Sequence, residues 1–194
     1  PLLIHESPTM KAALTLFLSA FFSLSLHASE MDQAINAINN LNNMNNLERA
    51  EKVVHSAVKP LRKREKSIVY STFGWKLISK SEYVRAEHYF RKAGRYNDKS
   101  YEVIGLAIAL LNQEKYRASI EVLDNMLNKE SDPLNIPKRY RESANYVLGV
   151  NYYQLNKLNK ACLHWGVAYQ VRKRKSEKGS YGQKSRQKIK QYCH

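Results

Sequence analysis

Glycine and proline are scarce in this chain of 194 residues, seven and five, which excludes a collagen-like or glycine-rich polymer. Two cysteines are too few for a zinc ribbon or a disulfide-stapled small fold. No apolar run reaches the roughly 20 residues that a bilayer-spanning helix needs. Acids are few, 17 against 32 lysines and arginines, which leaves a formal charge of +15. Catalytic signatures are missing too: there is no G-x-S-x-G, no H-E-x-x-H and no phosphate-cradling glycine loop. Six histidines occur (His5, His27, His55, His88, His164 and His194), and His55, His88 and His164 stand without a Cys, His or Asp at ligand spacing. No metal or cofactor is expected, and no enzyme. What the chain does have is apolar surface, 43% hydrophobic residues with thirteen tyrosines, enough for one folded domain.

Met10 and Lys11 open an apolar and small-residue run, Ala12 to Leu26, followed by Ala28 and a polar stretch. A basic start, an apolar middle and a small residue before polar chain describe a secretory leader. Residues 1–28 are therefore expected to be upstream sequence and signal peptide, with a mature, exported bacterial chain from about Ser29. Leu26 stands where a small residue is preferred, so an uncleaved anchor is the alternative. Cys162 and Cys193 are then an even pair in an oxidising compartment, where disulfides persist. Their spacing does not decide between a bridge and two free thiols.

One pattern recurs through the rest. Leu47, Ala50, Val54 and Ala57 share their offsets with Tyr83, Ala86, Phe90 and Ala93. The same offsets return at Tyr116, Ser119, Leu123, Met126 and at Leu158, Ala161, Trp165, Ala168. Steps of three and four place each set on one helical stripe. A second stripe lies upstream of each: Ala34, Ala37, Ile38, Leu41; Tyr70, Phe73, Gly74, Leu77; Val103, Leu106, Ala107, Leu110; and Asn145, Leu148, Gly149, Tyr152. Two helices per period, closest where a side chain is nearly absent, predict stacked helical hairpins. The first pair departs furthest, with Ile38 in the small position and seven asparagines between 36 and 46 lowering helix propensity.

Leu148-Gly149-x2-Tyr152 followed by Ala161-x3-Trp165 and Ala168 resembles the tetratricopeptide repeat. The copy from Tyr70 to Ala93 is similar to the same family, and Asp132-Pro133 closes the copy from Val103 to Met126. The resemblance implies an all-α solenoid of about three clear repeats, a divergent N-terminal hairpin and a C-terminal capping helix. In segments, it implies a hairpin at 29–66, three repeats at 67–174 and a basic end at 175–194. Residues 129–139, with two prolines, are expected to be a spacer loop, and Tyr181 to Tyr192 a last helix. A Cys162–Cys193 bridge would pin that helix to the last repeat.

In the family, first helices of successive hairpins line a concave groove that takes partners. Carried over, the groove face holds Trp75, Ile78, Tyr101, Ile104, Ile108, Tyr146, Val150 and Tyr153, too apolar for a merely solvated surface. The competing expectation is that a terminal segment fills this face. Positions where chaperone-binding members clamp a terminal carboxylate hold Ser71, Trp75, Gly105, Ser143 and Val147, so a carboxyl-terminal peptide is not expected. Arg172 to Lys190 carries nine cations and one acid, among them Arg172, Lys173, Arg174, Lys175, Lys184, Arg186, Lys188 and Lys190. Such a cluster attracts polyanions. Nucleic acid does not suit an exported chain, and an anionic envelope surface does. The reading is a non-enzymatic envelope scaffold that binds a protein segment. Its alternatives are an electrostatic envelope binder, a secretion-chaperone-like protein with a retained N-terminus, and an enzyme accessory.

Overall fold

A computed structural model describes residues 30–40, 47–97, 100–129, 136–171 and 180–193. Among these residues there is no strand, and nine helices follow one another. They are α1 at 30–39, α2 (Leu47–Ala57), α3 (Lys63–Ser79), α4 (Tyr83–Tyr96) and α5 (Ser100–Leu111). Then come α6 (Tyr116–Lys129), α7 (Lys138–Gln154), α8 (Leu158–Val171) and α9 (Tyr181–Tyr192). The chain forms two compact units that meet between Val69 and Tyr70, inside α3.

In the first unit α1 and α2 bury Ala34, Ile38, Ala50 and Val54, the positions at which their two stripes place apolar side chains. Ala57 stays half-exposed, and Val58 and Leu61 are buried beyond the helix end. The start of α3 is capped from within. The Glu65 carboxylate accepts from the Arg62 backbone N–H at 2.9 Å and from its guanidinium at 2.8 Å. A glutamate at the third helical position thus satisfies an amide that the helix itself leaves unpaired.

The second unit is a stack of hairpins: the end of α3 with α4, α5 with α6, α7 with α8, and then α9. Each hairpin turns in the same way. The N–H groups of Glu82, Lys115 and Lys157 donate to Leu77 O, Leu110 O and Tyr152 O, five residues back. Those of Ser81, Glu114 and Asn156 donate to Ile78 O, Leu111 O and Tyr153 O. This pair of bonds closes a helix through one left-handed residue. Ser81, Glu114 and Asn156 hold that place, with φ of 61°, 61° and 56°. One turn geometry used three times is the structural counterpart of the sequence repeat.

Close approach inside the hairpins also follows from composition. The Phe90 ring fills space that Gly74 on α3 and Gly105 on α5 leave open; a Cβ on Gly74 would lie 2.9 Å from the ring, and one on Gly105 would overlap it. Trp165 of α8 fills the space beside Gly149 of α7 in the same manner. Leu123 and Met126 of α6 pack with Ala107 of α5 and with Ala144, Val147 and Leu148 of α7. A polar relay threads this interior. Buried Asn151 donates to Ser119 Oγ at 2.8 Å, and Ser119 donates to Ala107 O at 2.8 Å. The architecture is an all-α helical-hairpin solenoid closed by a C-terminal helix.

Candidate functional site

First helices of successive hairpins touch one another directly, α5 against α7 and α7 against α9. That contact uses much of the face assigned above to a groove. Ile104 is only 4% exposed and belongs to the core cluster between α5, α6 and α7. Ile78, Ile108, Val150, Trp75, Tyr146 and Tyr153 are half-buried, and Tyr101 is 41% exposed. Gly105, placed on the groove face by the sequence pattern, faces Phe90 instead. The apolar character of the face therefore has two causes, helix-to-helix packing between hairpins and a residual open surface.

The open part centres on an aromatic pair. Trp75 of α3 and Tyr101 of α5 have ring centroids 5.4 Å apart, and Trp75 also meets Phe90 edge-on at 5.4 Å. The Trp75 indole N–H is buried and has no acceptor among the described residues. Burial raises the Tyr101 pKa, and negative charge at Tyr140 and Glu102 adds to the rise. Tyr140, at the start of α7, lies under the Arg139 guanidinium, 4.6 Å from its ring. Sequence spacing did not single out Tyr140, which falls between the expected spacer at 129–139 and the stripe that begins at Asn145. The other exposed large apolar residues among those described sit on second helices: Val84 and Tyr96 on α4, and Leu158, Leu163, Val167 and Tyr169 on α8.

At the other end, α9 covers the last first helix. Tyr181 lies 5.1 Å from Tyr146, and Tyr192 lies 4.7 Å from Tyr153 and 6.2 Å from Trp165. These pairs make α9 parallel to α7 and antiparallel to α8, the place a further hairpin's first helix would take. Buried Glu142 accepts from the Gly182 N–H at 2.6 Å, which sets a carboxylate at the positive end of α9. Cys193, just past α9, is bonded to Cys162 of α8 with Cα atoms 5.8 Å apart. Tyr146 and Tyr153 are thus partly filled by the chain's own terminal helix.

Lys184, Arg186 and Lys190 point to solvent, while Lys188 and Lys184 lie over the rings of Tyr192 and Tyr181 at 5.1 and 5.2 Å. Arg172, Lys173, Arg174 and Lys175 lie outside the described residues, as do the leader and most of the spacer loop. His164 is half-buried. Its Nδ1 is 3.0 Å from Asn145 Oδ1, its ring stacks on Tyr152 at 5.2 Å, and burial lowers its pKa. Among the described residues no group of three His, Cys, Asp or Glu is placed to hold a metal ion, and no helix is long and apolar enough to cross a membrane.

The fold is that of a tetratricopeptide-like helical solenoid. The chain is similar to a solved structure of MamA, a TPR-like helical protein (MamA RS-1 ArsTM double mutant). The TM-score is 0.58 at 14% sequence identity, over 84% of this chain and 94% of that one. Neither a family model nor a curated protein matches the sequence.

Proposed function

We propose that this chain is a non-enzymatic scaffold that binds a protein segment along the first-helix face of its second unit. The observation that carries the proposal is the Trp75–Tyr101 pair. Among the described residues Tyr101 is the large apolar residue left exposed on a first helix, while the comparable ones lie on second helices. Aromatic side chains with few rotamers anchor interfaces at low entropic cost. On the first helices Ile78, Ile108 and Val150 are half-buried, and Tyr140, under the Arg139 guanidinium, interacts with Tyr101. An extended or helical segment bearing one or two apolar anchors fits this chemistry. The signal-like run before Ala28 and the Cys162–Cys193 bridge support export to an oxidising compartment of a bacterial envelope. The segments proposed are 1–28, 29–66, 67–174 and 175–194.

The test is selection from a displayed peptide library on the full mature chain, repeated on Trp75→Ala and Tyr101→Ala. Retention of apolar-anchored peptides that falls at least tenfold in either variant supports the groove. Peptides retained equally by both variants contradict it.

A second reading rests on α9, which carries four cations and no acid, three of them exposed. Attraction to an anionic surface then adds to segment binding. Vesicle co-sedimentation measures it: binding to anionic but not neutral vesicles, lost by 0.5 M salt, supports this reading, and salt-insensitive binding opposes it.

A further inference from the structure

We propose that the Cys162–Cys193 bridge is a redox latch on α9. Opening it uncovers an end face that accepts another helix of α9's chemistry. This goes beyond the groove reading, since it concerns the last hairpin's end and not the Trp75–Tyr101 surface.

Few large apolar side chains fasten α9. Its sequence, YGQKSRQKIKQY, offers only Tyr181, Ile189 and Tyr192 as large apolar side chains. The two residues it buries fully are Gly182 and Ser185, which remove little apolar surface from water. Ser185 Oγ is moreover buried with no hydrogen-bond partner among the described residues, a cost paid by the seated state. Lys184 with Lys188, and Arg186 with Lys190, are like-charge pairs four residues apart, which weaken the helix itself. Twelve residues are in any case too few for a stable isolated helix. Against these stand the ring contacts of Tyr181 with Tyr146 and of Tyr192 with Tyr153 and Trp165, together with the Gly182–Glu142 and Tyr153–Tyr192 hydrogen bonds. The covalent bond decides the balance.

Both cysteines are half-buried, and neither belongs to the buried core. The reductant required is a dithiol. One of its thiolates attacks a bridge sulfur, forming a mixed disulfide and releasing the other cysteine as a thiolate. Its second thiol, as thiolate, then displaces the first cysteine. Two electrons and two protons pass to the protein, leaving Cys162 and Cys193 as thiols and the reductant as a cyclic disulfide. With α9 away, Tyr146, Tyr153 and Trp165 face solvent, beside the Glu142 carboxylate that held an N-terminal amide. The matching occupant is a helix with aromatic residues at both ends, glycine and serine toward the seat, and a basic outer side.

Hydrogen exchange of the full chain, oxidised and after dithiothreitol, tests the latch. A bridge spanning 31 residues predicts exchange of the Lys184–Tyr192 amides accelerated about a hundredfold or more, with the α5 amides unchanged. Cys193→Ser without reductant should behave like the reduced protein. An acceleration below threefold in both would overturn the latch. The end face is probed with a fluorescent peptide of residues 180–193 carrying Ser for Cys193. Binding to the reduced chain and not to the oxidised one supports the proposal; equal binding to both, or to neither, overturns it. The seat of α9 shares no residue with the Trp75–Tyr101 pair, so failure here is distinct from failure of the groove.

Discussion

Tyr192 sits 4.7 Å from Tyr153, ring centroid to ring centroid, and it places the terminal helix on the first helix of the last hairpin. The second such pair, Tyr181 on Tyr146, fixes the other end of the same helix. A hydrogen bond with Tyr192 raises the Tyr153 pKa. Burial raises those of Tyr146 and Tyr181, with added repulsion from each other's charge or from Glu142. Because the folded values exceed the unfolded one of about 10, the contribution is complete below pH 10 and is lost as pH rises through the folded values. The melting temperature should therefore fall above pH 10, together with phenolate absorbance. In Tyr146→Phe the fall should be shallower; an unchanged slope would mean these tyrosines titrate freely.

Gly149 admits the Trp165 ring where a methyl group would overlap it. Gly149→Ala should destabilise the chain by about 1–3 kcal/mol, the usual cost of overpacking. Gly166, helical with open space around its Cβ position, is the control. Gly166→Ala should stabilise by about 0.5–1 kcal/mol through helix propensity. Urea unfolding measures both signs.

Glu114 holds the left-handed turn position between α5 and α6 at a φ of 61°. An L side chain there costs about 1–2 kcal/mol, which glycine avoids. Glu114→Gly is expected to raise stability by about 1 kcal/mol, whereas Glu114→Val should lower it. Asn156→Gly should change little, since asparagine tolerates this conformation.

Glu87 joins α4 to the α5–α6 turn through Lys115 at 2.8 Å and Gln113 at 2.9 Å, and pairs within α4 with Arg91 at 2.9 Å. Burial alone would raise its pKa, yet these hydrogen bonds together lower it. The stabilisation is therefore present above the unfolded carboxylate value of about 4.5 and fades as pH falls through the folded one. Glu87→Gln should cost about 1–2 kcal/mol at pH 7, the usual scale for hydrogen bonds to a charged group, and much less at pH 3. An equal cost at both would show that charge plays no part.

Much of the fold was legible because helix stripes leave a periodic trace. Phe90, Leu123 and Trp165 hold the same place in the recurring stripe, and all three are fully buried. The tyrosines at 181 and 192 bracketed a last helix, whose ends coincide with the structure's. The groove was harder to read. A single stripe cannot distinguish a first-helix residue open to a partner from one packed on the next first helix. Ile104 is packed and Tyr101 is exposed, although both lie on the same helix. Gly105 likewise faces Phe90 because α5 sits between two second helices, a relation across hairpins that spacing within one helix does not encode. The left-handed turn residues escaped notice because serine, glutamate and asparagine replace the glycine that usually marks them.

The most direct test of the scaffold account is hydrogen-exchange mapping of the full chain with the tightest peptide from the displayed library. The account predicts new protection at Trp75–Ile78, Tyr101–Ile108 and Tyr140, with the outer face of α8 around Leu163 and Val167 unchanged. Protection confined to α8, or absent from the Trp75–Tyr101 region, would contradict it.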